Sequence, residues 1–324
     1  MQTRLWYMNA DFEMELAAQH RAEVYRRSSQ FDKINRRLAP HLLWLAKRGD
    51  ALLLEDESPN GTLAAEAKQR GVELVSKPRA GDQSDRIFTP WGWTKSAVAS
   101  GESTGAIVRH PSLETVLLVN SKLWSYALEQ KLGVALKHSA TAKSFDELQS
   151  IIERACPKAN DKWVVKSPFG FATRDRVLGR GAVLENAQAV WVRRRLALGE
   201  TLLFQPWLDV VREYGVVMNI QESGEVVIEG ISDLQTNGAG TGYGYLLGRE
   251  IDPQRKTELE KFAGIVGARL FEEGYTGAAG MDALEHANGL HPLLEINARL
   301  TMGHVAVAVE QALNPLTPVL WRTK

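Results

Sequence analysis

Between Gly280 and Arg299 the chain carries Asp282, Glu295, Asn297 and Arg299, the last three spaced by two. Asn288-Gly289 lies between two apolar-containing runs and is a strong hairpin signal. With the turn centred there, Asp282 falls opposite Glu295. A loop of about four residues keeps that pairing and frees Pro292, which has no N–H for a ladder. Strand side chains alternate, so Glu295, Asn297 and Arg299 take one face while Leu294, Ile296 and Ala298 take the other. Two carboxylates and a carboxamide supply the oxygen donors that Mg²⁺ prefers, leaving room for phosphate oxygens and water. An arginine further along the same face can hold a phosphate or carboxylate through its planar fork. The same four residues also fit a solvated sheet face, where mixed charges are common.

Other patterns carry less. Gly101, Ser103 and Gly105 match the Gly-x-Ser-x-Gly elbow, which needs a strand before it and a helix after it. Here Trp93 to Ser100 reads as helical and Pro111 limits any helix that follows, so an ordinary turn is expected. The alternate glycines of Gly238 to Gly244 do not have the Gly-x-Gly-x-x-Gly spacing, and no phosphate-loop Gly-Lys-Ser/Thr occurs. That segment is either a loop that closes over a ligand or a plain connection. The seven histidines include no close pair at metal-ligand spacing, so zinc chemistry is not expected. Trp91 and Trp93 are read either as pocket lining or as packing.

The elements that must position these residues follow α/β grammar. Strands are expected at Leu5 to Met8, Ala51 to Leu54, Glu73 to Val75 and Val116 to Val119, with helices after Asp11 and over Thr62 to Arg70. A helix then runs from Ser121 through Leu132, and Ser144 with Glu147 forms the capping box of another. Trp163 to Lys166 reads as a strand and Glu185 to Leu198 as a basic helix. Thr201 to Gln205, Gly215 to Ile220 and Val226 to Ile231 read as three further strands. A long helix opens at Asp252 with Pro253 in its first turn, and the hairpin and a closing helix end the chain.

Composition narrows the class. The 324 residues are 44% hydrophobic and 24% charged, which excludes disorder, collagen and simple coiled coil. The 39 basic and 39 acidic side chains cancel, so no net field draws the chain to nucleic acid or an anionic membrane. Cys156 is the single cysteine, which excludes an intramolecular disulfide and favours a reducing compartment. The first eleven residues are too broken by Asn9 and Asp11 for a signal-peptide core, and no apolar run approaches the ~20 residues of a membrane span. A soluble, cytoplasmic protein is expected.

From about Asn120 to the C-terminus the chain resembles the ATP-grasp superfamily. Glu295-x-Asn297-x-Arg299, followed by Met302, His304 and a helix ending at Asn314-Pro315, is similar to the family's Glu-x-Asn-x-Arg strand, with Asp282 as the upstream acidic ligand. The resemblance implies that Asp282, Glu295 and Asn297 hold Mg²⁺ at ATP phosphates and that Arg299 stabilises the transferred phosphate or the acyl intermediate. Lys122, ahead of its helix, and Lys166, at the end of a strand, match the family's phosphate-contacting lysines. Gln205, Trp207 and Leu208 resemble the hinge whose backbone meets adenine, and Glu213 the acidic position that usually binds ribose or a neighbouring group. Two departures stand out: the loop after Lys166 has the single glycine Gly170 where many relatives are glycine-rich, and Gln205 stands where glutamate is common. Arg174 and Arg176 in that loop either contact the γ-phosphate or are solvated.

The implied architecture is α/β: an ATP-grasp fold of two α+β lobes, preceded by an α/β pre-ATP-grasp domain. Its boundaries fall at residues 1–120, 121–203 for the central lobe and 204–324 for the C-terminal lobe. The implied activity is an ADP-forming ligase that joins a small-molecule carboxylate to an amine, with ATP and Mg as cofactors and a homodimer as the expected assembly. A small-molecule kinase of the same fold and a non-catalytic nucleotide-binding module are the alternatives.

Overall fold

A computed structural model describes residues 2–54, 61–76, 85–170 and 175–323. Arg174 lies outside them. The first sheet is parallel, in the order β3-β2-β1-β4, from β1 (Arg4–Tyr7), β2 (Ala51–Leu54), β3 (Glu73–Ser76) and β4 (Ile87–Pro90). Leu5, Trp6 and Tyr7 are all buried because β1 is central and covered on both faces, which suits a continuous apolar run.

A second, antiparallel sheet has the order β5-β8-β6-β7, from β5 (Ala140–Ala142), β6 (Lys162–Lys166), β7 (Arg176–Arg180) and β8 (Leu202–Pro206). Alternation along β6 sends Trp163 and Val165 into the core beneath the sheet. Lys166 therefore projects from the opposite face. The third sheet is antiparallel with six strands in the order β13-β12-β9-β10-β11-β14. Its strands are β9 (Val210–Ile220), β10 (Val226–Thr236), β11 (Gly242–Leu247), β12 (Gly277–His286), β13 (Gly289–Asn297) and β14 (Val319–Arg322).

The caps explain where the helices begin. Ser121 accepts from the Leu123 N–H at the start of Lys122–Leu132, which ends on Gly133 in the left-handed conformation. Asp252 accepts from the Arg255 N–H ahead of Pro253–Glu272. At Phe145–Ala155, Ser144 accepts from Glu147 N, but the Glu147 carboxylate takes the Lys143 N–H and not that of Ser144. Val116 to Val119 is not a strand: Leu113–Val119 is a helix capped by the Ser112 hydroxyl. Val116 and Val119, three residues apart, share its buried face, and the cap with this packing overrides β-branched propensity.

Ser103 ends the Lys95–Ser103 helix with its hydroxyl donating to the Ser100 carbonyl, an ordinary terminus. Of the Gly238 to Gly244 segment, Gly238 to Thr241 form the turn of the β10–β11 hairpin, closed by Asn237 Oδ1 accepting from the Ala239 and Thr241 N–H groups, while Gly242 and Gly244 are already paired in β11.

Asp282 pairs with Glu295 as expected, but by a different route. The β12–β13 hairpin turns tightly, with His286 opposite Gly289, and a bulge between Asp282 and Leu284 accommodates the extra residues, Pro292 among them. Proline sits there without breaking the ladder, so the longer loop is unnecessary. The bulge also corrects the face assignment: Leu293 enters the core and Leu294 lines the cleft with Glu295.

Candidate active site

A cavity of about 460 Å³ lies where the three sheets meet, and its wall contains Lys122, Lys166, Glu213, Asp282, Glu295, Asn297 and Arg299. The β12–β13 register sets the two carboxylates opposite each other. Asn297 Nδ2 donates to Asp282 Oδ2 at 3.1 Å, while Asn297 Oδ1 accepts from Arg299 Nη2 at 2.9 Å. Lys122 Nζ lies 2.8 Å from Glu295 Oε1. The helix that carries Lys122 packs on β13, with Ser125 Oγ accepting from Ile296 N.

The charges interlock. Burial, then the neighbouring Glu295, pushes the Asp282 carboxyl up to about 7. Burial acts the same way on Glu295, yet Lys122, Lys166 and Arg299 outweigh it and hold that carboxyl below the usual range. Burial would depress Lys122, but Glu295 and Glu13 raise it. Lys166 is depressed by burial despite Glu295. Two facing carboxylates, one of them close to neutral pH, form a donor set that a divalent cation would relieve of its repulsion. Among the described residues no cluster of three or more His, Cys, Asp or Glu side chains suits a metal. Two carboxylates and the Asn297 amide oxygen fit Mg²⁺, which keeps water and phosphate oxygens in its shell.

Of the other expected residues, Lys166 and Glu213 stand in that wall and Gln205 does not. Lys166 Nζ donates to Gln205 Oε1 at 2.8 Å, and Gln205 is 1% exposed, with no partner for its Nε2 among the described residues. Trp207 and Leu208 are not in the cavity wall, and the Trp207 N–H is bonded to the Lys162 carbonyl. The Arg176 guanidinium lies 5.3 Å from the Trp207 ring and donates to the Ala239 carbonyl, tying β7 to the β10–β11 turn. Glu213 accepts from the Thr236 hydroxyl at 2.6 Å. Trp91 lines the cavity, whereas Trp93 packs on Phe88 and His110.

Two carboxylates escaped the sequence analysis. Glu13, in the first turn of Phe12–His20, lines the cavity and pairs with Arg299. No local pattern marks it. Glu129 is buried, with no hydrogen-bond partner for either oxygen among the described residues and Oε2 3.7 Å from His291 Nε2. Here a signal existed: Lys122, Ser125 and Glu129 follow helical spacing, a polar stripe facing β13.

No family model and no curated protein matches the chain. Solved structures do. A biotin carboxylase–β,γ-ATP complex from Campylobacter jejuni is 14% identical with a TM-score of 0.59, the match covering 86% of this chain and 65% of that one. N5-carboxyaminoimidazole ribonucleotide synthetase from Thermus thermophilus is 17% identical with a TM-score of 0.52, over 98% and 80%. The Staphylococcus aureus N5-carboxyaminoimidazole synthetase complexed with ADP is 11% identical with a TM-score of 0.53, over 100% and 81%. Among the described residues no helix is long and apolar enough to cross a membrane. With the parallel N-terminal sheet, the two antiparallel sheets and the cleft between them, these likenesses establish that the chain has the ATP-grasp fold preceded by an N-terminal α/β domain.

Proposed function

We propose that this chain is a Mg²⁺- and ATP-dependent, ADP-forming ligase that joins a small-molecule carboxylate to an amine. The observation that carries the reading is the meeting of Asp282, Glu295 and Asn297 with Lys122, Lys166 and Arg299 in one cavity. Asp282, Glu295 and Asn297 would hold Mg²⁺, which when bound neutralises phosphate charge and aligns the triphosphate. Lys122 and Lys166 face the same space and supply cationic N–H donors to phosphate oxygens. Arg299 presents its fork where a carboxylate would approach the γ-phosphate, which lowers the repulsion between two anions. Once that carboxylate is an acyl phosphate, the same guanidinium stabilises the oxygen that gains charge as an amine attacks. No protein nucleophile is required.

Division at residues 120 and 203, a cytoplasmic location and a homodimer belong to the same proposal. A 2-oxoglutarate carboxylase biotin carboxylase domain with 14% identity and a TM-score of 0.54 is described as a dimer with MgADP.

The test is ADP release from Mg·ATP with pooled carboxylates, each pool with and without amines, followed by mass spectrometry. ADP with a dehydrated conjugate is expected. ADP with a phosphoester would point to the kinase instead, and binding without ADP to a module. Glu295→Gln, which keeps size but removes charge, should lower turnover by about 100-fold. Unchanged turnover would remove Glu295 from the metal set.

A further inference from the structure

Arg299 and Glu13 meet in the cavity wall from positions 286 residues apart, and neither is saturated. Arg299 has five N–H donors. Among the described residues its Nη2 serves Glu13 and Asn297 and its Nη1 serves the Leu300 carbonyl, which leaves Nε and one Nη1 hydrogen. Glu13 gives Oε1 to Arg299, and its Oε2 has no hydrogen-bond partner among the described residues although Glu13 is only 8% exposed. A buried carboxylate oxygen without a donor is costly, so the site is complete only when something brings it one. Adjacent unfilled positions for an anion and for a cation are complementary to a zwitterion. Phe12, Leu38, Trp91, Tyr245 and Met302 contribute apolar wall to the same cavity.

We infer that the carboxylate substrate is an α-amino acid with an apolar side chain, its α-carboxylate on Arg299 and its α-ammonium on Glu13 Oε2. The inference rests on the ligase reading for the identity of the cleft. An amine held as ammonium against a carboxylate has no free lone pair, so the activated amino acid is kept from acting as its own nucleophile. The attacking amine then comes from a second molecule.

Equilibrium binding to the full chain separates these ideas. Leucine and phenylalanine would be compared with 4-methylpentanoate and 3-phenylpropanoate, which lack only the amine, with and without Mg²⁺ and a non-hydrolysable ATP analogue. The wild type should hold each amino acid at least about tenfold tighter than its partner, the scale of one charge-assisted hydrogen bond. Glu13→Gln should abolish that difference by weakening the amino acids more than the des-amino acids. Equal binding of the pairs by the wild type, or no binding of either amino acid, would overturn the inference. Equal weakening of both partners by Glu13→Gln would overturn it too, since Glu13 would then act only by placing Arg299. If the analogue binds and the amino acids do not, this inference fails while the ligase reading stands; if the analogue does not bind, the ligase reading fails.

Discussion

The Glu129 carboxylate is 1% exposed, has no hydrogen-bond partner among the described residues, and sits near Lys166, Glu295 and His291. Burial pushes it up to about 8 from an ordinary 4.5, only partly opposed by Lys166, while burial pushes His291 down to about 4. Both are therefore neutral near pH 7. A carboxyl whose folded value is raised binds more protons folded than unfolded between the two values, so its stabilising contribution is full below about 4.5 and is lost as pH rises through about 8. The amount is of the order of a few kcal/mol. Glu129→Gln keeps the shape without the titration, so the variant should gain in thermal midpoint over the wild type as pH rises from about 5 to about 8. Midpoints that track each other across that range would show that Glu129 is not buried in this way. Lys166→Met tests a different role: nucleotide affinity should fall by about tenfold, and unchanged affinity in a titration would displace the phosphate site.

At the scale of elements, the strand that ends in Lys166 depends on a close approach. A Cβ on Gly179 of β7 would overlap the Trp163 ring, which is 0% exposed and cannot swing aside. Gly179→Ala should therefore cost about 1–3 kcal/mol, read as a lower urea midpoint. A midpoint equal to the wild type would mean that β6 and β7 slide apart freely. Much at this scale was legible. The Asn288-Gly289 turn located the hairpin and the Asp282–Glu295 pair, and Lys122 and Lys166 stand at the ends of the elements expected. The bulge was not legible, because alternation says which residues share a face only while the ladder is unbroken. Val116 to Val119 was misread because four apolar residues fit either period, and Ser112 decided the matter.

Over the whole molecule the buried clusters ignore sequence order. Phe12 and Leu16 pack with Val216, Met218 and Met281, and Trp6, Leu42 and Leu52 with Leu300, Val305 and Val309. The cluster under the second sheet, by contrast, draws its buried members from Ala142 to Phe204. Native-state hydrogen exchange should show β5 to β8 opening as a separate unit of lower free energy, while the N-terminal sheet and the Met302–Leu313 helix open together. Exchange of residues 1–120 independently of the C-terminal helix would contradict this. For the same reason a fragment beginning at residue 121 should expose apolar surface and precipitate, measurable as loss of soluble monomer.

Sequence alone determined what repeats locally: turn chemistry, caps, the apolar period of each element, and the oxygen-rich face of β13. Those depend on residues a few positions apart, whose side chains report their own backbone. Only the tertiary structure decided that Glu13 stands against Arg299, that Gln205 holds Lys166, and that Glu129 is buried beside His291. No periodicity encodes these meetings, because they are set by how three sheets pack and by which polar atoms that packing shuts away from water.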